Sequence, residues 1–378
     1  MKILINGNPL KAFTSGTPMR GLIKAMASQR SNDWFTILVS NDHETQNLTS
    51  YWEELKHIGN VYLEYTDQSR QIINLKKLVG FKNYQKWPKK FDFYFSPGMP
   101  EYFSVKKVPS LSIVADLSSI NLPESSSLKW HGNIIFKNTL RWAINSNNAI
   151  GAISEFTKNE LLEKYPTHNN KFYTIHNGIE DFWFDSNYQQ NEITEQYKSI
   201  CYWIWWGFGS NRKNLERLIL AYLSLKQEIT KLPTLLLVGE ISTDLKKVNE
   251  LIASNPDCIH HIGFQKPYIL KQLVKNSQGL VFPSLYEGFG LPIIETYSQG
   301  RPVLYGNCTS MPEIASTYGV PVDPYSLDNI KDGLNKLLQF DVTKYYEEEI
   351  VPYSKQYKYS SAASKVFRLI DKLTATSS

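Results

Sequence analysis

Short apolar runs alternate with longer segments of helical spacing from one end of the chain to the other. In the first half the pattern predicts strands at Ile3–Asn6, Trp34–Ser40, Asp92–Ser96, Ser110–Val114, Ala149–Ile153 and Phe172–His176, and Asn177-Gly178 closes the set with a turn signal. A second set runs through Ile200–Trp206, Thr234–Val238, His260–Gly263, Gly279–Phe282 and Pro302–Tyr305, with helices between, such as Asn214–Lys226. Strand–helix alternation of this kind predicts an α/β protein with parallel sheets built from βα units. The polar stretch 181–198 has no clear periodicity and reads as a linker, which gives domains at 1–180 and 199–354. Ala362–Leu373 has apolar residues at helical spacing. Two doubly wound domains in series are expected to present the carboxyl ends of their strands, where such sheets bind ligands, to each other across a cleft.

Composition narrows the class. A chain of 378 residues is long enough for two domains, each with its own core. With 42% apolar and 20% charged residues the composition is that of a globular protein. No apolar run approaches the roughly 20 residues that span a bilayer. The opening Met-Lys-Ile-Leu-Ile-Asn-Gly reads as a first strand and not as a signal peptide, because no small-residue cleavage region follows a long apolar segment. Cys201, Cys258 and Cys308 are scattered without metal-ligand spacing and read as reduced core or strand residues, so a cytoplasmic location is expected.

The chemistry concentrates in Pro-Ser-Leu-Tyr-Glu-Gly-Phe-Gly-Leu-Pro-Ile-Ile-Glu, residues 283–295. A buried strand ends there in a loop with two glycines, and Pro292 opens a helix, a position at which its missing N–H costs nothing. Backbone N–H groups and the positive end of the helix dipole would meet in this loop and suit a phosphate. Gly288 and Gly290 let a ligand approach the backbone. Glu287 in the loop and Glu295, expected in the first helical turn, bracket the site with groups that accept paired hydroxyls. A diphosphate with a sugar at each end fits this arrangement. On these residues alone, Glu295 could instead complement the helix dipole and the glycines could simply form a turn. After the strand ending at Trp206 comes Gly-Phe-Gly-Ser-Asn-Arg-Lys-Asn, whose Arg212 and Lys213 suit phosphate oxygens; an Arg-Lys pair is also a common solvated surface.

Glu-Gly-Phe-Gly-Leu-Pro-x-x-Glu, preceded by Pro-Ser-Leu-Tyr and followed by Gly300-x-Pro-Val and Pro312-Glu-Ile, resembles the family 4 retaining glycosyltransferases of GT-B fold, and Arg212-Lys213-Asn214 matches the Arg-Lys-Asn signature of that family. The resemblance implies two Rossmann-like domains and a C-terminal helix, about 355–376, that joins the first. It implies a nucleoside-diphosphate sugar of UDP or GDP type as donor and no other cofactor; no Asp-x-Asp motif lies at a strand end, and Lys213, Arg212 and the helix N-terminus offer positive charge instead, so no obligatory metal is expected. Glu295 would hold the ribose hydroxyls and Glu287 those of the donor sugar, with Gly288, Phe289, Gly290 and Leu291 around the phosphates. Lys213 and Arg212 would stabilise the leaving diphosphate. Arg212 stands in for an earlier Arg of the family, whose place is taken by Phe208. Phe264 would bring backbone groups to the nucleobase, or simply pack. Gly16, in the loop after the first strand, partly matches a glycine motif that meets the phosphate from the other domain. At Val114-Ala115-Asp116-Leu117 the family has His where this chain has Ala115; Asp116 would face the acceptor, or serve a turn or helix cap. Ser154 most economically caps the helix that follows it.

A double displacement with Glu287 as nucleophile is the glycosidase-like alternative; the resemblance favours attack of the acceptor on the face the diphosphate leaves. Residues 71–90 carry six lysines and no acid, interleaved with aromatics. Lys76, Lys77, Lys82, Lys86, Trp87, Lys89 and Lys90 suit an anionic membrane surface, and the same composition suits a solvated loop or a nucleic acid backbone. Because the family extends lipid-linked glycans, a membrane surface is the expected partner and nucleic acid is not. The implied function is transfer of a sugar to a glycan or lipid-linked acceptor in cell-surface polysaccharide or O-antigen synthesis. A nucleotide-sugar 2-epimerase and a non-catalytic nucleotide-sugar-binding protein are the rival readings.

Overall fold

The computed structural model describes residues 1–11, 17–40, 48–66, 90–98, 108–122, 130–186, 191–340 and 346–376. Two compact units result: Met1–Gly178 together with Tyr357–Ser378, and Ile179–Gln356.

The first unit holds β1 (Lys2–Asn6), β2 (Trp34–Ser40), β3 (Val61–Thr66), β4 (Phe93–Ser96), β5 (Ser110–Val114), β6 (Ala149–Ala152) and β7 (Phe172–Thr174). They form one sheet in the order β3-β2-β1-β4-β5-β6-β7, every pair parallel. All residues of β4, β5 and β6 are buried, as helix-covered parallel strands require. The helix Tyr359–Ala375 buries Ala362, Ala363, Val366, Phe367 and Ile370 on one stripe. Its Phe367 ring lies 6.5 Å from that of Phe35 on β2, and its Asp371 pairs with Arg30.

The second unit holds β8 (Tyr202–Trp206), β9 (Thr234–Val238), β10 (Ile259–His261), β11 (Leu280–Phe282), β12 (Val303–Gly306) and β13 (Val320–Val322). Their order is β10-β9-β8-β11-β12-β13, again all parallel. That is the nucleotide-binding order of doubly wound sheets, with the switch point between β8 and β11. The five bulky residues of β8, Tyr-Trp-Ile-Trp-Trp, are all buried, and the helix Leu215–Glu228 covers the sheet with Leu215, Leu218, Ile219, Tyr222 and Leu225.

The α/β class and two parallel sheets agree with the sequence reading. Three details differ. Strands β3 and β13 were not expected: both lie at sheet edges, where exposure blurs the apolar run, and β13 is Val-Pro-Val, tolerable only at an edge because proline cannot donate to a ladder. The stretch 181–198 is not structureless. It contains the 3-10 turn Asp181–Phe184, with Trp183 buried, and the helix Glu192–Lys198, capped by the Asn191 side chain on the N–H of Ile193. Cys201 is exposed ahead of β8 and so is not a core residue.

Candidate active site

The loops after β8 and β11 leave the sheet side by side at the switch point, and hydrogen bonds tie them to each other and to the loop after β13. The N–H of Leu285 donates to the Arg212 carbonyl at 2.8 Å. The Asn214 amide donates to the carbonyls of Pro283 at 2.9 Å and Pro324 at 2.7 Å. Asn214 sits in the left-handed region (φ 59°), which Asn tolerates better than most residues. It thereby breaks the 3-10 turn Asn211–Lys213 from the helix that follows.

This clamp delivers three charges to one point. Arg212 donates to Glu287 Oε2 at 2.7 Å and to the Tyr286 carbonyl at 2.6 Å, while Lys213 donates to Glu287 Oε1 at 2.8 Å. The Lys213 ammonium also lies 4.7 Å from the centre of the Phe282 ring. Glu287 and Lys213 are buried, 7% and 9% exposed. Burial alone would raise the Glu287 pKa; the charges of Lys213 and Arg212 outweigh it and hold the carboxyl below its ordinary range. Two cations against one anion leave the cluster net positive. The backbone of Glu287 is fixed as well: its N–H donates to Thr309 Oγ1 at 3.1 Å, and Ser310 Oγ donates to its carbonyl at 2.8 Å. The Glu287 N–H is therefore committed inside the protein and is not one of the phosphate donors expected of this loop.

Gly290 ends the loop at φ 100°, a conformation glycine adopts without strain, and the helix Leu291–Ser298 begins there with Pro292 in its first turn. Glu295 lies beyond the first turn, which contains no acid. The sequence reading of a first-turn Glu295, and with it the simple dipole role, is corrected. The side chain is instead set by the Trp206 indole, which donates to Glu295 Oε2 at 3.3 Å. Burial pushes the Glu295 carboxyl up to about 7 and the Glu180 charge adds to this, against the pull of the Trp206 and Trp183 indoles and of Lys213. Phe289 is buried, which leaves its backbone as the part able to meet a ligand.

Residues 189–356 match the family model for glycosyl transferases group 1. The second unit is thus similar, over nearly its whole length, to a glycosyl transferases group 1 domain. Among curated relatives, O-antigen chain mannosyltransferase B of Escherichia coli is 27% identical over 208 residues, 54% of this chain and 55% of that protein. The serotype-specific mannosyltransferase WbdA of Escherichia coli is 31% identical over 131 residues, 34% of this chain and 16% of that protein. The matches thus span about half or less of the length of these relatives. Among solved structures, Anabaena Alr3699/HepE in complex with UDP and glucose superposes with a TM-score of 0.70 at 14% identity, over 98% of this chain and 100% of that one. At that identity the likeness establishes the fold, which is GT-B.

Within this unit Arg212, Lys213, Glu287, Gly288 and Gly290 share the two switch-point loops, and Leu291 and Glu295 follow in the helix they lead into. Phe264 is 56% exposed after β10, so it does not pack in the core. In the other unit Asp116 accepts from the N–H of Ser118 at 2.9 Å and from its hydroxyl at 2.5 Å, the turn role. Ser154 caps its helix on the N–H of Thr157 at 3.1 Å. Gly16 and residues 71–89 of the basic stretch lie outside the described residues; Lys90 is exposed. Thr309, Ser310 and Trp206, which hold the two glutamates, escaped the sequence reading because a single hydroxyl or indole at the end of a strand carries no spacing signal.

The raised Glu295 pKa has a testable sign. The folded value exceeds the ordinary 4.5, so ionisation opposes folding. This contribution to stability is fully present below about 4.5 and is lost as pH rises through about 7. Glu295→Gln keeps an acceptor for Trp206 and cannot ionise. It is expected to raise the melting temperature at pH 8 by about 3 °C, with the gain shrinking to nothing near pH 4.5. Scanning calorimetry across that range checks it, and a gain independent of pH would contradict it.

Proposed function

We propose that this chain is a retaining, family 4 glycosyltransferase that moves a sugar from a nucleoside-diphosphate sugar to a glycan or lipid-linked acceptor in cell-surface polysaccharide synthesis. The observation that carries the reading is the Arg212–Glu287–Lys213 cluster, net positive and fixed at the switch point, with Glu295 one turn inside the adjoining helix. The names of the relatives, O-antigen and serotype-specific mannosyltransferases, point to a mannosyl donor and a polysaccharide acceptor.

In this reading the diphosphate lies against Arg212, Lys213 and the start of the helix Leu291–Ser298, where charge developing on the leaving group is met by fixed cations. Both Glu287 oxygens are engaged by cations and its pKa is depressed, which makes it a poor nucleophile and favours the positioning of sugar hydroxyls. The acceptor then attacks on the face the diphosphate leaves, and a phosphate oxygen takes its proton. Among the described residues no group of three or more His, Cys, Asp or Glu is placed to hold a metal, and the cations above would carry the charge in its stead. Transfer is therefore expected to survive EDTA. No helix among the described residues is long and apolar enough to cross a membrane. The basic, aromatic stretch 71–90 supports docking of the first unit on an anionic leaflet, and failure to float with anionic liposomes at low salt would end that part of the proposal.

The deciding experiment has two arms. A panel of nucleotide sugars is screened for a rise in melting temperature, which reports binding to the native state. The donor that stabilises most is then incubated with mannan and with lipid-linked oligosaccharide, and the anomeric configuration of the product is read by NMR. Retained configuration on an extended acceptor is the expected result. Conversion of donor to an epimer without acceptor would favour a 2-epimerase, and binding without any turnover a sensor.

A further inference from the structure

Resting on the reading that the second unit binds a nucleoside diphosphate, we infer that its base is guanine, recognised by Glu240 with Phe208 and Phe264 beside it. The β8–β9 ladder does not stop where the regular strands do. Trp206 pairs with Val238, the N–H of Gly207 donates to the Val238 carbonyl, that of Gly209 to the Glu240 carbonyl, and Gly209 bridges Ile241 in parallel. Phe208 and Glu240 are thus opposite each other across the ladder, one strand spacing apart. On the far side of β9 the N–H of Gly239 donates to the Gly263 carbonyl, which brings the next residue, Phe264, alongside the Gly239-Glu240 pair. The result is an aromatic–carboxylate–aromatic row at the carboxyl ends of β8, β9 and β10, on the same edge of the sheet as Lys213 and Glu287.

All three side chains face solvent: Phe208 is 58% and Phe264 56% exposed, and Glu240 is exposed. Two large exposed rings flanking a carboxylate leave apolar surface that a planar ligand would cover. The Glu240 carboxylate has no hydrogen-bond or ion-pair partner among the described residues. A carboxylate offers two acceptors side by side and no donor. The Watson–Crick edge of guanine presents two adjacent donors, N1–H and the 2-amino group, and pairs with both. Uracil presents one N–H between two carbonyl oxygens, and these would lie against the carboxylate oxygens. The row therefore selects for guanine and against uracil by charge as well as by hydrogen bonding.

The test is titration calorimetry with GDP, inosine diphosphate and UDP on the full chain. Inosine keeps N1–H and lacks the 2-amino group, so the expected order of affinity is GDP, then inosine diphosphate, then UDP, with about tenfold or more between the first and the last. Glu240→Gln is expected to lower GDP affinity about tenfold, to close the gap between GDP and inosine diphosphate, and to leave UDP unchanged. Phe208→Ala and Phe264→Ala are expected to weaken GDP by about tenfold each through lost stacking. Equal or tighter binding of UDP by the unaltered chain, or GDP affinity unmoved in Glu240→Gln, overturns the inference and leaves sugar transfer standing. Failure of all three nucleotides to bind would remove the donor reading itself.

Discussion

Glu287→Ala is expected to lower kcat by about 1,000-fold while the affinity for the nucleoside diphosphate stays level or improves. The geometry makes these two effects separate. Glu287 spends both carboxylate oxygens on Arg212 and Lys213, so removing it takes away one negative charge beside the phosphates and adds none. The cluster goes from net +1 to net +2 (Arg212 and Lys213, without Glu287), which favours binding of an anion in the ground state. What is lost is the group that holds the two cations in place and that, in the proposed reading, would set the register of the donor sugar, and misplacement of the leaving group would raise the transition state. Lys213→Ala should behave in the opposite way, raising the Kd for the nucleoside diphosphate about 30-fold, the scale of one lost charge-assisted bond. The double variant should lose less than the product of the two, since the residues touch. Single-turnover rates at saturating donor, beside calorimetric Kd values, decide the matter. A matched loss of nucleotide affinity in Glu287→Ala would reassign it from sugar positioning to nucleotide binding. Glu287→Gln guards against misfolding, because it keeps the buried volume and an acceptor for the cations.

Much of this site is legible in the chain before any coordinates. Glycines that free the backbone, a proline that starts a helix and carboxylates at fixed spacing each leave a mark in sequence, because the local backbone requires that residue type. The apolar runs of β8 and β11 announce buried parallel strands for the same reason. What sequence does not carry is which side chains meet. Nothing in Arg212-Lys213 says that both point at a glutamate 75 and 74 residues away. Nothing in Trp206 says that its indole holds Glu295. These pairings depend on strand order, which places β8 beside β11 and not beside β10, and strand order is a property of the whole sheet. The linker misreading has a similar origin. Trp183 is buried, but the Phe-Trp-Phe run at 182–184 is too short to show a period.

Gly239→Ala is expected to destabilise the second unit by about 4 kcal/mol. A Cβ at this position would lie 2.1 Å from the carbonyl oxygen of Gly207 and 3.0 Å from its carbonyl carbon, both backbone atoms that cannot rotate aside. The residue also sits at φ 115°, where an L side chain is strained whatever the space. Relief requires β8 and β9 to part at their carboxyl ends, breaking the bonds from Gly207 to Val238 and from Gly209 to Glu240. That motion would carry the Arg212-Lys213 turn away from Glu287, so donor binding should fall along with stability. Gly263→Ala supplies the contrast on the neighbouring strand: it has φ 65° but nothing within 4 Å of its Cβ, and only the left-handed backbone cost of about 1–2 kcal/mol is expected. Urea unfolding followed by tryptophan fluorescence suits the comparison, because Trp203, Trp205 and Trp206 are buried in β8 and report on this unit. Equal midpoints for the two variants would mean that the close approach of Gly239 to Gly207 relaxes at little cost, and that the phosphate-side loop is not held by the β8–β9 ladder.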